Sequence, residues 1–446
     1  MEIYLNAIWC LISGLMIRRI LPLLLLLAPF VAHAELVIDI TQGLRDPVPI
    51  AIVPFAHAVP ADADADTDPA AIVQHDLDGS GRFKSMARSA MTAQPTRGSE
   101  VVTADWRSAG NYYVLVGRVV VAEGKAAIEC ELLNVLTGQS LGSTRITTGA
   151  GGLRSAAHQI SDFVFEKIVG ARGAFNTHIA YVAVDGAPPA QRFQLIVADA
   201  DGENPRVILA SRLPIMSPAW SPDGQWLAYV SFENRISAVY VQQLLSGERR
   251  RVSARAGVNG APAYSPDGRQ LALTLSGSGG NLDVYVLDLS TQALRRLTDD
   301  SAIDTEPSWS NDGKQIYFTS DRAGGPQIYR LDVATPTHVQ RLSFGGSYNA
   351  RPRLSPDGST LALVTRDGSA YRIAVQDASG NLRTLTRGTL DESPSFAPNG
   401  ISLIYAGRQN GQGTLATVSV DGLVAQRLKS EQGEVREPVW GPFLKE

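Results

Sequence analysis

The side chains of this chain that could do chemistry are scattered, and their spacing assembles no reaction site. Gly138-Gln139-Ser140-Leu141-Gly142 matches the G-x-S-x-G pattern of a nucleophile elbow. That elbow needs a strand, a sharp turn and a helix, so that the serine stands exposed at the top of a sheet. Here Ser143-Thr144-Arg145-Ile146-Thr147 follows and favours a strand, so the glycines read as a hairpin turn. The histidines are His33, His57, His75, His158, His178 and His338, and none is paired at metal-ligand spacing, so zinc chemistry has no support from the sequence. Asp62, Asp64, Asp66 and Asp68 alternate before Pro69. Loose Ca²⁺ binding is conceivable there, but a solvated acidic loop is the better reading. Gly277-Ser278-Gly279-Gly280 lacks the strand and helix that a phosphate-binding loop requires and reads as a link between strands. No catalytic set, cofactor or metal is expected.

The elements that must position these residues are announced by a phrase repeated six times. Its copies are Pro218-Ala219-Trp220-Ser221-Pro222-Asp223-Gly224, Pro262-Ala263-Tyr264-Ser265-Pro266-Asp267-Gly268, Pro307-Ser308-Trp309-Ser310-Asn311-Asp312-Gly313, Pro352-Arg353-Leu354-Ser355-Pro356-Asp357-Gly358, Pro394-Ser395-Phe396-Ala397-Pro398-Asn399-Gly400 and the truncated Pro438-Val439-Trp440-Gly441-Pro442. The aromatic or Leu positions lie 44, 45, 45, 42 and 44 residues apart. Ser-Pro-Asp-Gly is a turn: Pro presets φ, Asp bonds back to the backbone, and Gly tolerates positive φ. Alternating apolar runs such as Leu227–Val230, a third run such as Asp283–Asp288 and a fourth such as Arg295–Thr298 make four short strands per unit. That is one blade of a β-propeller.

The ends of the repeat set the blade count. Residues 178–210 read as strands two to four of a blade that lacks its first, and the copy at Pro438–Pro442 is a first strand without the rest. Joined, they close a ring of six blades and leave no open sheet edge. Before the repeats, helical patterns at Ala70–Leu77, Thr103–Ala109 and Leu153–Val169 alternate with strands at Ile50–Phe55, Tyr112–Val121, Ala127–Val135 and Leu141–Thr147. The expected architecture is therefore two-domain: a small N-terminal α/β domain followed by a six-bladed β-propeller closed by the C-terminal strand. The expected boundaries are residues 44–172 for the α/β domain and 173–446 for the propeller.

Composition is ordinary for a folded soluble protein. The net charge is −4, with 44% hydrophobic and 19% charged residues, and no Lys/Arg-rich run supports nucleic-acid binding. Residues 1–34 read as an export signal: Arg18-Arg19, an apolar stretch from Leu21 to Val31, and Ala32-His33-Ala34 for cleavage. The apolar stretch is shorter than the roughly 20 residues that span a bilayer. Met16 fits an initiator, and a long leader from Met1 is the alternative. The exported chain then carries one cysteine, Cys130, in the apolar run Ala127–Val135, where a buried inert thiol is expected.

The order of export signal, α/β domain and six-bladed propeller resembles the TolB family, periplasmic components of the Tol–Pal envelope system. The resemblance spans nearly all of the exported chain. It is carried by Val53-Pro54-Phe55, Val164-Phe165-Glu166-Lys167, Gly173-Ala174-Phe175, Met216-Ser217-Pro218-Ala219-Trp220-Ser221-Pro222-Asp223-Gly224, Asn259-Gly260-Ala261-Pro262, Thr305-Glu306-Pro307, Phe318-Thr319-Ser320-Asp321 and Leu390-Asp391-Glu392. Val258 departs from the pattern, standing where the family often has a polar residue. The resemblance implies a non-enzymatic protein with two partners, supporting outer-membrane integrity and constriction during cell division. TolA would engage the mature N-terminal strand, Glu35, Leu36, Val37, Ile38, Asp39, Ile40, Thr41, Gln42 and Gly43, by β-augmentation. From the residues alone, that segment reads as an ordinary edge strand. The lipoprotein Pal would enter the propeller mouth, ringed by the residues before each repeated Pro: Met216, Asn259, Ala261, Asp304, Thr305, Glu306, Asn349, Arg351, Asp391, Glu392, Arg436 and Glu437. A periplasmic ligand-binding propeller is the alternative. A sugar-binding mouth would want more aromatics than this one has.

Overall fold

The computed structural model describes residues 47–57, 68–122, 125–149, 151–277, 279–409, 411–430 and 433–444. The expected export signal, the strand Glu35–Gly43 and the acidic loop positions Asp62, Asp64 and Asp66 lie outside the described residues. Three helices, α1 (Pro69–Gly79), α2 (Thr103–Ser108) and α3 (Leu153–Val169), accompany a sheet ordered 83–85, 48–52, 113–122, 125–134, 139–148. Val48–Ile52 is parallel to Phe83–Ser85 and to Tyr113–Ala122, while the last three strands form antiparallel hairpins. Asp68 caps α1 by accepting from the Ala71 amide at 3.0 Å, and Gly170, at φ 81°, ends α3 in the left-handed conformation. Leu77, Ile160, Val164 and Phe165 pack these helices on Ile50, Ile52, Leu115 and Ile128, while Trp106 of α2 belongs to the core of the other face. Cys130 is buried in the sheet, and burial pushes its thiol up to about 12. Gly138, at φ 75°, turns the hairpin into the strand Gln139–Thr148, so Ser140 stands on no elbow.

The propeller has six four-stranded sheets. Blades two to six run in chain order from inner strands Ile215–Trp220, Asn259–Tyr264, Asp304–Trp309, Asn349–Leu354 and Glu392–Phe396. Blade one takes its inner strand, Glu434–Trp440, from the far end of the chain, paired antiparallel with His178–Asp185. The repeated turn explains its own residues. In blade two, Ser221 Oγ donates to Asp223 at 2.5 Å and accepts from the Trp226 amide at 2.9 Å, and Gly224 takes φ 70°.

The same residues join blade to blade. A Cβ on Gly268 would meet Pro222 at 3.5 Å, and one on Gly313 would meet Pro266 at 3.6 Å. Pro442 stands in the same way against Gly224, at 3.3 Å. Trp220 Nε1 donates to the Val439 carbonyl at 3.2 Å, as Trp309 Nε1 does to Ala263 at 3.0 Å. The truncated sixth copy thus makes the same joint as the complete ones. Shortening the chain after Gly433 should leave His178–Asp185 as an open edge that pairs with other chains. Gel filtration and thermal melting should show oligomers or precipitate with no cooperative transition; a monomer melting like the full chain would refute the closure.

Candidate functional site at the propeller mouth

Each inner strand begins at the mouth and carries a bulge immediately before its proline. The register slips between Met216 and Ala219, Gly260 and Ala263, Thr305 and Ser308, Ala350 and Arg353, Glu392 and Ser395, and Arg436 and Val439. At each slip the residue before Pro has positive φ: Ser217 (52°), Ala261 (45°), Glu306 (57°), Arg351 (56°), Ser393 (58°) and Glu437 (50°). The following Pro disfavours right-handed helical backbone at these positions, and a bulge re-aims a side chain. Non-glycine residues with φ > 0 cost of order 1–3 kcal/mol each and persist only where the surroundings enforce them.

The re-aimed side chains meet across the axis. Arg351 Nε donates to Glu306 Oε1 of the neighbouring blade at 2.8 Å, and Arg351 Nη2 lies 3.5 Å from Glu437 Oε1, two blades away. Arg351 Nη1 donates to Ser393 Oγ, and the Ser217 amide donates to Glu437. Glu306 Oε2 accepts from Thr319 Oγ1 at 2.9 Å and from the Arg351 amide at 3.0 Å. Arg353 lies nearby, its pKa lowered by burial and by Arg351 against the pull of Glu306. Burial presses the Arg351 pKa down, but Glu306, Glu437 and Glu392 reverse it and hold the guanidinium charged. Glu392 is raised by burial and, to a lesser degree, by Glu437 against the pull of Arg351.

The expected mouth residues therefore divide by their distance from Pro. Three places before it, Asn259, Asp304, Asn349 and Asp391 are buried inside their blades, at 0%, 0%, 0% and 3% exposure. Asp304 is gripped by both oxygens by Arg322 Nη2, at 2.9 and 2.8 Å. Asn259 holds its loop by accepting from Ser253 Oγ at 2.7 Å and the Arg255 amide at 2.9 Å. Asn349 Nδ2 donates to Gln327 at 2.9 Å, and Asp391 accepts from the Gly388 amide at 3.1 Å. These four present almost no surface to a partner. Met216 packs in the core between blades, and Thr305 Oγ1 lies 3.3 Å from Thr274 Oγ1. Ala261, Glu306, Arg351, Glu392, Arg436 and Glu437 are half-buried at the mouth. Ser217, Ser393, Arg353 and Glu434, which pairs with Arg436 at 2.9 Å, belong to the same ring though the sequence reading passed over them. The residue directly before each Pro was the signal for the first two.

Loops leading into the inner strands, together with the turn between Trp226–Ser231 and Ala238–Gln243, form the rim, with Ile236, Val258 and Phe344 exposed at 52%, 43% and 72%. The α/β domain docks at the opposite end, on the turns: Arg82 pairs with Asp421 at 2.8 Å, and Asn399 Nδ2 donates to the Arg172 carbonyl at 3.0 Å. Among the described residues, the mouth is thus free of the other domain. No helix among the described residues is long and apolar enough to cross a membrane.

Arg351→Gln should strand Glu306, Glu392 and Glu437 and destabilise the chain by about 2 kcal/mol near pH 8. A carboxyl whose folded pKa is raised binds its proton more tightly folded than unfolded, so its cost fades as pH falls through the raised carboxylate range. Urea melts should show a smaller deficit near pH 5; a deficit that grows on acidification would contradict this network.

Two family models match the chain: the TolB amino-terminal domain over residues 36–141 and the TolB beta propeller domain over residues 165–444. The Tol-Pal system protein TolB of Xanthomonas campestris pv. campestris strain B100 is 47% identical over 425 residues, covering 94% of this chain and 96% of that one. That of Xanthomonas oryzae pv. oryzae strain PXO99A is 46% identical over 434 residues, covering 96% and 98%. The crystal structure of TolB from Acinetobacter baumannii superposes with TM-score 0.84 at 42% identity, covering 92% of this chain and all of that one.

Proposed function

This chain belongs to the TolB family and is a component of the Tol–Pal system, and from that premise we propose that it is a non-enzymatic periplasmic adaptor with two binding ends. The propeller mouth receives Pal, and the N-terminal segment Glu35–Gly43 receives TolA, so that the protein links the two and supports outer-membrane integrity and constriction during division. The export signal 1–34 and the division at residues 44–172 and 173–446 belong to the same reading. The observation that carries it is the mouth itself: a ring of charged side chains on a rigid scaffold, facing away from the α/β domain. Pre-ordered charges of this kind favour selective docking of a complementary protein surface. If Pal shifts the N-terminal segment between packed and free states, the effect of each partner on the other's affinity is equal in free energy.

Calorimetry of residues 35–446 with the soluble domain of Pal from the same organism tests the mouth. Saturable one-to-one binding is expected, and Glu306→Ala with Glu392→Ala should weaken it at least about tenfold, or 1.4 kcal/mol. No binding by folded protein would turn the reading towards a ligand-binding propeller, and binding indifferent to both changes would place the interface elsewhere. Deleting Glu35–Gly43 should abolish TolA binding and spare Pal; loss of both would point to misfolding and remove the modular account.

A further inference from the structure

A buried polar cluster joins the α/β domain to the propeller, far from the mouth. α1 contributes Asp76, α3 contributes Arg154, His158 and Ser161, and the turn after the strand Arg192–Asp199 of blade one contributes Asp201. His158 is 2% exposed and Asp76 5%. His158 Nδ1 lies 2.7 Å from Asp76 Oδ2, which also accepts from Ser161 Oγ at 2.6 Å. A carboxylate on one imidazole nitrogen orients the ring and leaves the other nitrogen to act as a ligand. That other nitrogen, His158 Nε2, is buried with no hydrogen-bond partner. It faces Asp201 Oδ2 at 3.8 Å. The gap is too long for a hydrogen bond, yet an ion bound about 2.0–2.2 Å from each atom would bridge it.

The surroundings suit a cation. Asp76, Asp162 and Asp201 all lie close to His158, and Arg154 holds Asp199 at 3.1 Å and also bonds Asp201. Releasing Asp201 to an ion leaves Arg154 its bond to Asp199. Asp76 and Asp201 place two carboxylates on either side of this imidazole, a charge that a bound cation would offset. His75, Asp76 and Asp201, though not His158, line a cavity of ≈ 90 Å³ between the domains, so water can reach the gap from the Asp76 and Asp201 side.

We propose that His158 Nε2 and Asp201 bind a Zn²⁺ ion across the domain joint, with Asp76 orienting the imidazole and cavity water filling the remaining positions. An imidazole with one carboxylate favours zinc over calcium or magnesium, whose ligands are oxygens. The sequence spacing hid the set, because its members come from two helices and a propeller turn. The ion would tie the α/β domain to the propeller and stabilise the folded chain increasingly as its free concentration rises above Kd. The proposal stands whether or not Pal and TolA bind as described above.

The test is a Zn²⁺ titration of the untagged, chelator-stripped chain of residues 35–446 against a chromophoric competitor. One ion per chain should bind with micromolar or tighter Kd and raise the Tm. His158→Gln and Asp201→Asn should each weaken uptake at least tenfold while keeping the wild-type far-UV spectrum. Should His158→Gln fail to fold, Asp201→Asn and the nitrogen and oxygen ligand spectrum of Co²⁺ in the wild-type chain decide the matter. Absence of saturable uptake would overturn the site and leave a proton on Nε2. Uptake unchanged by Asp201→Asn would overturn it as well.

Discussion

The propeller mouth of this molecule rests on one antiparallel pairing, that of Glu434–Trp440 with His178–Asp185. It brings the last strand into the first blade and turns a row of sheets into a ring. Without it, Glu437 would not lie beside Arg351, and the charged cluster at the axis would lose the acid that spans the closure. The joint is built from the parts used between the other blades: an indole bonding a neighbouring inner strand and a proline seated on a neighbouring glycine. Each blade buries its faces only against its neighbours, so closure satisfies the two surfaces that an open array would expose.

The ring then assigns a different task to each end. At the turn end, Ser-Pro-Asp-Gly residues are used up in their own hydrogen bonds, and the α/β domain covers part of that face. At the mouth end, six bulges turn the residue before each Pro into the left-handed region, and four of those residues carry the Arg351 network. Repetition of the bulge in all six blades makes it architecture. The side chains mounted on it, Glu306, Arg351, Glu437 and the two serines, give this mouth its own chemical pattern, which under the proposed function is what a partner reads. Most of the charge there is paired internally before any partner arrives, so a partner must match a fixed pattern.

Much of this was legible because the repeat speaks six times. The blade count, the swapped closing strand and α3 with its glycine stop followed from periodicity and turn residues. The strands Ala56–His57 and Phe83–Ser85 were not legible, since two or three residues carry no periodic signal. At the mouth, the sequence located the right stretch but could not separate its positions. Strand pleat alone suggests simple alternation, and the bulge breaks it. Asp304 and Glu306 are both acids two residues apart, yet one is locked inside its blade by Arg322 and the other reaches the axis. Asp76, His158 and Asp201 are distant in sequence and meet only because the two domains dock.

The most direct test of the account is hydrogen–deuterium exchange of the chain with and without the soluble domain of Pal. Slowed exchange is predicted at the start of the inner strands, around residues 304–306, 349–351, 392–393 and 434–437, and in the rim loop 342–348. Protection confined to the Ser-Pro-Asp-Gly turns, with the mouth unchanged, would contradict it.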